Sequence, residues 1–170
     1  MTEIWLPVVG YEGLYEVSSE GRVRSLGKVL TDSLGRTRRI KPRILKRSYS
    51  HGYPSIGLHG PQRSCTRTVH ILVMEAFIGP RPPGLNEIRH YPDPDKNNAR
   101  LENLSYGTHS QNAFDRVEHG THPMANKTRC KHGHPLTGDN VYFRAEGRQR
   151  HCRACAAIRS RKHKAARRAA

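Results

Sequence analysis

His90 closes the short run E-I-R-H and is followed by a polar loop, Y-P-D-P-D-K-N-N, and then by two asparagines, Asn103 in an N-L pair and Asn112 in G-T-H-S-Q-N. Imidazole takes up a proton near neutral pH, provided a neighbour fixes its tautomer. Hydrolysis of a phosphodiester needs such a base, together with a cation on the scissile phosphate and the leaving oxygen. The loop carries two prolines and the pair Asn97-Asn98, all turn formers, because Pro fixes φ and Asn bonds its own backbone. Leu101 to Tyr106 reads as a return strand, and Ser110 to Val117 as a helix. The order strand, loop, strand, helix brings His90, Asn103 and Asn112 to one point.

A second set of residues points to a different metal chemistry. Cys130 and His134 form one pair and Cys152 and Cys155 another, a spacing that suits tetrahedral zinc, with His132 and His151 as rival ligands. The segment Gly138 to Gly147 would be the hairpin between the two knuckles. Four protein ligands leave no open position, so the zinc is expected to be structural, holding a segment too short to bury a core alone. Cys65 has no partner at ligand spacing and is read as a free thiol.

A formal net charge of +16 at pH 7 calls for a polyanionic partner, and nucleic acid is the default. A membrane surface is the competing polyanion, but the sequence has no apolar stretch of spanning length and its M-T-E-I-W start is not a signal peptide, so an intracellular, non-membrane protein is expected. In that compartment the four cysteines point to metal or free thiols before disulfides. Hydrophobic content of 35% with 6% aromatics suggests several small units rather than one large core.

Upstream, L-Y-E-V and R-V-R-S-L flank S-S-E-G, a hairpin in which Gly21 supplies the positive φ. Trp5, Tyr11, Tyr15, Val17 and Val23 read as the core of this sheet, with Arg22 and Arg24 facing outward. Lys28 to Arg47 is polar and basic, and period-2 character returns at Tyr53 to Leu58. Arg39, Lys41, Arg43, Lys46 and Arg47 fit phosphate contacts, which give affinity and register without sequence information. Thr66 to Phe77 is a strand passing into a helix, with Val69, Leu72, Val73, Ala76 and Phe77 at helical spacing to brace the strands around His90. His70 is read as structural, and G-P-R-P-P-G at 79–84 as a stiff connector. From Arg148 onward there is no acidic residue, so the end of the chain is either a helix leaving the second knuckle or a disordered arm, attached to DNA by charge.

The motifs R-H-x-x-D, N-N-x-R-L-E-N-L and G-T-x-S-x-N resemble the HNH endonucleases of the phage and intron-encoded homing type, which have a ββα-metal centre. The N-terminal W-x-x-V-x-G-Y-E-G-x-Y-x-V-S-x-x-G-x-V-x-S-L resembles the nuclease-associated DNA-binding motif that precedes many such centres. The H-G-H-P segment resembles the knuckle that follows them, which selects His134 as the zinc ligand. The resemblance implies an α+β chain: an N-terminal β-rich DNA-docking unit (1–60), an HNH nuclease domain (61–122), a zinc knuckle (123–157) and a basic tail (158–170). It implies that His90 is the general base, that Asn103 orients its imidazole, and that Asn112 binds a catalytic Mg²⁺ or Mn²⁺, with Asp93 as a further ligand in the altered Y-P-D turn. Where the family usually has a metal ligand before the histidine, this chain has Arg89, which is expected to contact a phosphate instead. The implied activity is metal-dependent cutting of double-stranded DNA by a phage-encoded monomer or dimer. The rivals are a DNA-binding module that keeps the scaffold without cleavage and, more remotely, a zinc-finger-like RNA binder.

Overall fold

In the computed structural model, residues 2–60, 64–144 and 149–169 are described. The chain divides into two compact units, Met1–His119 and Gly120–Ala170. The first unit begins with β1 (Trp5–Pro7), β2 (Tyr15–Ser18) and β3 (Val23–Ser25), continues through an exposed hairpin of β4 (Lys28–Thr31) and β5 (Thr37–Ile40), and adds β6 (Arg43–Ile44), β7 (Ser48–Ser50), β8 (Tyr53–His59) and β9 (Ser64–Thr68). Then come α1 (Val69–Phe77), β10 (Glu87–His90), β11 (Leu104–Gly107) and α2 (His109–Glu118). The strands form sheets ordered β1-β2-β3-β6 and β7-β8-β9 and the pairs β4-β5 and β10-β11. The second unit holds β12 (Val141–Arg144), β13 (Gln149–Cys152) and α3 (Arg153–Ala169). None of the described helices is long and apolar enough to cross a membrane.

Residues from the expected units 1–60 and 61–122 contribute side chains to one core. Val8, Val17 and Val23 from the first sheet, Ile56 and Leu58 from β8, Val69, Leu72, Val73 and Met74 from α1, and Ala99 and Leu104 beside β11 are buried together. Low aromatic content misleads here because aliphatic side chains from every element converge on α1. That helix packs against β1, β2, β8, β9 and β11 at once, which is the bracing role its spacing implies.

A close approach fastens the N-terminal hairpin to the loop after His90. Gly21, at φ +72°, passes so near Ala99 that a Cβ there would lie 2.7 Å from the Ala99 carbonyl oxygen. Beside it the Leu101 amide donates to the Ser19 carbonyl at 2.9 Å, and Arg100 pairs with Glu20 at 3.0 Å. The turn of the first sheet is therefore a wall of the candidate site.

Local structure refines the expectations at three places. The return strand begins at Leu104, because Leu101–Asn103 is a 3-10 turn that aims Asn103 inward. The basic stretch after Lys28 holds the β4-β5 hairpin, paired from Lys28↔Ile40 to Thr31↔Thr37, with Val29 and Leu30 exposed among its arginines. Of the two readings of the C-terminal segment, the helix holds: Arg153–Ala169 is continuous α3. The knuckle hairpin pairs β12 with β13, and residues 145–147 of the expected Gly138–Gly147 segment lie outside the described residues.

Candidate active site and metal centre

β10 and β11 pair antiparallel, with His90 opposite Leu104 and Arg89 opposite Ser105, and α2 follows directly. This is the strand, loop, strand, helix order expected around His90. α2 starts where it does because Thr108 and Gln111 form a reciprocal capping box that satisfies the first free amides of the helix.

Successive side chains on a strand point to opposite faces. Arg89 points to α2 and forms a bidentate pair with the buried Asp115, Nε to Oδ2 at 2.5 Å and Nη2 to Oδ1 at 2.6 Å. The guanidinium expected to meet a DNA phosphate is thus spent on fastening the helix to the strand. Gly107 makes the passage possible: a Cβ on it would lie 2.2 Å from Arg89 Cδ. Asp115 stands one turn after Asn112 on the same helix face, so the pair also sets the height of Asn112. Asn112 is half-buried, and its side chain has no hydrogen-bond partner among the described residues, which leaves its amide oxygen free to ligate.

His90 points the other way, among Tyr53 of β8 and His70 of α1, at ring-centroid distances of 5.8 and 5.4 Å. Both of its ring nitrogens are shielded from solvent and unpaired. Burial lowers its pKa below the ordinary 6.5, opposed by the nearby backbone of Asn98 and Asp95, which favours protonation without reaching hydrogen-bonding geometry, and by the charges of Asp93 and Asp95.

Asn103, 2% exposed, was expected to hold the imidazole, but its amide engages the loop instead. Its Oδ1 accepts from the Asp93 amide at 2.9 Å, and its Nδ2 donates to the carbonyls of Asp93 and Asn98 at 2.9 and 3.2 Å. Any influence on His90 runs through the backbone that Asn103 fixes. Asp93 is used within the same loop, accepting from the Asp95 amide and from Asn98 Nδ2, and the Asn98 bond is the main reason its carboxyl stays below the usual range. It lines an open cleft with Glu20, Arg22, Arg47 and Arg100.

The expected DNA-contact residues fall into two groups. Arg22 is bound by Glu3, Arg24 donates to Glu16 at 2.7 Å while lying over Trp5 at 4.2 Å, and Arg47 donates to the Gly21 carbonyl at 2.9 Å. Arg39, Lys41, Arg43 and Lys46 are exposed along β5, β6 and the strand connections. Tyr53 and His70 are the neighbours of His90 that motif spacing misses. The V-H-I-L-V run singles out His70, but only the fold brings it to His90.

In the second unit the ligand atoms of Cys130, His134, Cys152 and Cys155 all lie within 4.8 Å of one another. His134 Nδ1 is 3.5 Å from Cys130 Sγ and 3.3 Å from Cys155 Sγ, and the two sulfurs are 3.6 Å apart. Tetrahedral zinc, with Zn–S of about 2.3 Å and Zn–N of about 2.0 Å, separates its ligands by roughly 3.5–3.8 Å, so the donor set fits. Desolvation and the sulfurs of Cys130 and Cys152 push the Cys155 thiol up to about 11. Amides of His132 and Cys155 and the side chain of Asn140 point N–H groups at the sulfurs, the outer support a thiolate site needs. Of the two rivals, His132 contributes its backbone amide and His151 stacks on Tyr142, centroids 5.3 Å apart.

Removing the acid from a buried ion pair strands the base. Asp115→Ala should therefore cost about 3–5 kcal/mol of stability at the site of a buried pair, less any relief from the solvent reaching Arg89. Gly107→Ala should destabilise too, by displacing Arg89 from Asp115. Because both act through one contact, urea unfolding of the double variant should show a loss well short of the sum. Strict additivity would mean that Gly107 and Asp115 do not act through Arg89.

Two family models match the chain: the NUMOD4 motif over residues 3–59 and HNH endonuclease over residues 67–114. Among solved structures the chain is similar to one titled "DNA binding and cleavage by the HNH homing endonuclease I-HmuI", with 32% identity and a TM-score of 0.53, over 69% of this chain and 60% of that one. The chain thus spans about 60% of the length of that relative. No curated protein matches. The chain thus carries a NUMOD4 motif and an HNH endonuclease motif that share one core, and in this it resembles the HNH homing-type endonucleases.

Proposed function

We propose that the protein is a divalent-metal-dependent endonuclease that hydrolyses phosphodiester bonds of double-stranded DNA, of the phage-encoded homing type. The observation that carries this reading is a buried histidine at the end of β10, followed by a polar loop, with a neighbouring helix whose Asn112 side chain has no hydrogen-bond partner among the described residues. His90 takes a proton from water, and the oxygen so freed attacks phosphorus. A Mg²⁺ or Mn²⁺ ion, when bound, supplies charge for the scissile phosphate and the departing 3′ oxygen. Asn112 is the residue that would hold it. Arg89 is no ligand and Asp93 is engaged in its own turn, so the donor set fits a hard cation that keeps most of its water and takes further ligands from DNA. Basic side chains of the β4-β5 hairpin and of α3 contact the DNA backbone.

A second reading, a DNA-binding module that does not cut, draws on two observations. Arg89 occupies a ligand position and is committed to Asp115, and both His90 nitrogens are shielded from solvent. Nicking of supercoiled plasmid with Mn²⁺ or Mg²⁺ separates the two. His90→Ala should abolish nicking and leave DNA affinity within about twofold, because the imidazole acts on water rather than on the phosphate backbone. A variant that cuts at the rate of the unaltered protein would overturn the assignment of the base, and an unaltered protein that binds and never nicks would establish the second reading.

The Cys130, His134, Cys152 and Cys155 cluster is proposed to hold structural Zn²⁺. Purified, reduced protein should contain about one zinc per chain, the stoichiometry of one tetrahedral site. Cys152→Ser should release it, loosen residues 130–155 and weaken DNA binding without removing the chemistry at His90. Finding no zinc in protein kept reduced throughout would refute the site.

A further inference from the structure

The end of the chain carries many cations and little to neutralise them. From Arg148 onward the sequence has no acidic residue, and among the described residues no ion pair involves the second unit. Near its start α3 packs on β13 and on the 3-10 turn Gly138–Asn140, while the side chains from Ala157 to Arg168 are exposed. At 3.6 residues per turn, Arg153, Arg161, Lys164 and Arg168 fall within an arc of about 80°, one stripe along about 22 Å of helix. Arg159, Lys162 and Arg167 lie outside that arc. At the knuckle end a ring organises the stripe: the guanidiniums of Arg144 and Arg153 both lie over Tyr142, at 5.5 and 5.6 Å from its centroid. A ring face orients a guanidinium without cancelling its charge, so the N–H groups stay available to phosphate.

The cluster of Cys130, His134, Cys152 and Cys155 supports the first turn of this helix. Cys152 precedes α3 and Cys155 lies within its first turn. The Cys155 amide points at Cys152 Sγ at 3.5 Å, and the Ala154 amide donates to Asn140 Oδ1 at 3.0 Å, so two of the amides that a helix start leaves free are satisfied. Zinc held by three thiolates and one imidazole leaves a net negative charge there, which favours the positive end of the helix dipole. Further along, Arg161 with Lys164 and Lys164 with Arg168 are like charges three and four positions apart, and they repel. A helix of this length is marginal alone. It gains from an anchor at its start and from anions along its side.

We propose that the Arg153, Arg161, Lys164 and Arg168 stripe is a backbone-tracking surface for duplex DNA, presented as one face only while the cluster at the start of α3 holds zinc. The inference rests on the readings of the chain as DNA-binding and of the cluster as a zinc site, and it names the face and the condition that exposes it. Phosphates along the stripe exchange repulsion between cations for pairing, so DNA stabilises from the side the helix that zinc stabilises from its end. These contacts give affinity and register without sequence information.

Two triple variants with the same loss of charge test this. Arg161→Gln, Lys164→Gln and Arg168→Gln together remove most of the stripe, whereas Arg159→Gln, Lys162→Gln and Arg167→Gln together spare it, and glutamine keeps helix propensity in both. Binding to random-sequence duplex DNA is followed as a function of salt in zinc-loaded protein without Mg²⁺ or Mn²⁺. The slope of log affinity against log salt should become shallower by about 3 for the stripe variant, at roughly 0.9 per phosphate contact, and by about 1 or less for the other. After chelation of the zinc under reducing conditions the two variants should share one slope, because cations on an unfolded arm have no face. Equal slopes in zinc-loaded variants that keep their helical circular dichroism would show that net charge alone acts and would overturn the stripe. A difference that persists without zinc would overturn the zinc condition. If a triple variant loses its helix, Lys164→Gln and Lys162→Gln alone carry the same comparison, with a difference of about 1 in slope. No readout uses cleavage, so a protein that binds and never nicks refutes the nuclease reading and not the stripe, whereas equal slopes in a protein that nicks refute the stripe alone.

Discussion

One buried amide organises the catalytic end of this chain. Asn103 sits at 2% exposure and turns three hydrogen bonds onto a loop that has no regular structure of its own. A buried amide left unpaired costs on the order of 1–3 kcal/mol, so the loop and Asn103 specify each other. The loop conformation then decides what lies near His90: the backbone of Asp95 and Asn98, the charges of Asp93 and Asp95, and Lys96 over Tyr53. The same loop meets the N-terminal hairpin at Gly21 and Ala99, where only a glycine fits. A site made from β10, β11 and α2 is in this way held by elements that precede it in the chain.

Electrostatics divides the two faces of β10. On one, Arg89 and Asp115 neutralise each other in a nearly dry contact that sets the helix bearing Asn112. On the other, His90 is buried among rings, and that burial lowers its pKa. A strand is suited to this division because its side chains alternate, so an ion pair and a buried imidazole can be neighbours in sequence without sharing a face.

Much of this was legible in the residues. The hairpin at Gly21, the strand that passes into α1, the strand, loop, strand, helix order and the Cys and His spacing of the knuckle are all local patterns, and local patterns survive folding. What was not legible depended on side chains meeting across the core. Arg89 reads as a free cation until α2 places Asp115 beside it. Asn103 reads as a partner for His90 until the 3-10 turn at Leu101–Asn103 aims it at the loop. The shared core escaped notice because aliphatic residues spread over many short elements give no periodic signal long enough to reveal that they pack on one helix. Tyr53 and His70 belong to the same class, since nothing in their spacing relates them to His90.

The central claim is that the loop fixed by Asn103 serves the chemistry of His90. It is tested most directly by single-turnover nicking of supercoiled plasmid by Asn103→Ala, with DNA affinity measured alongside. The account predicts a rate clearly below that of the unaltered protein and above that of a protein lacking the His90 imidazole, at nearly unchanged affinity, because the base is present but poorly placed. A folded Asn103→Ala protein that nicks at the full rate would contradict it.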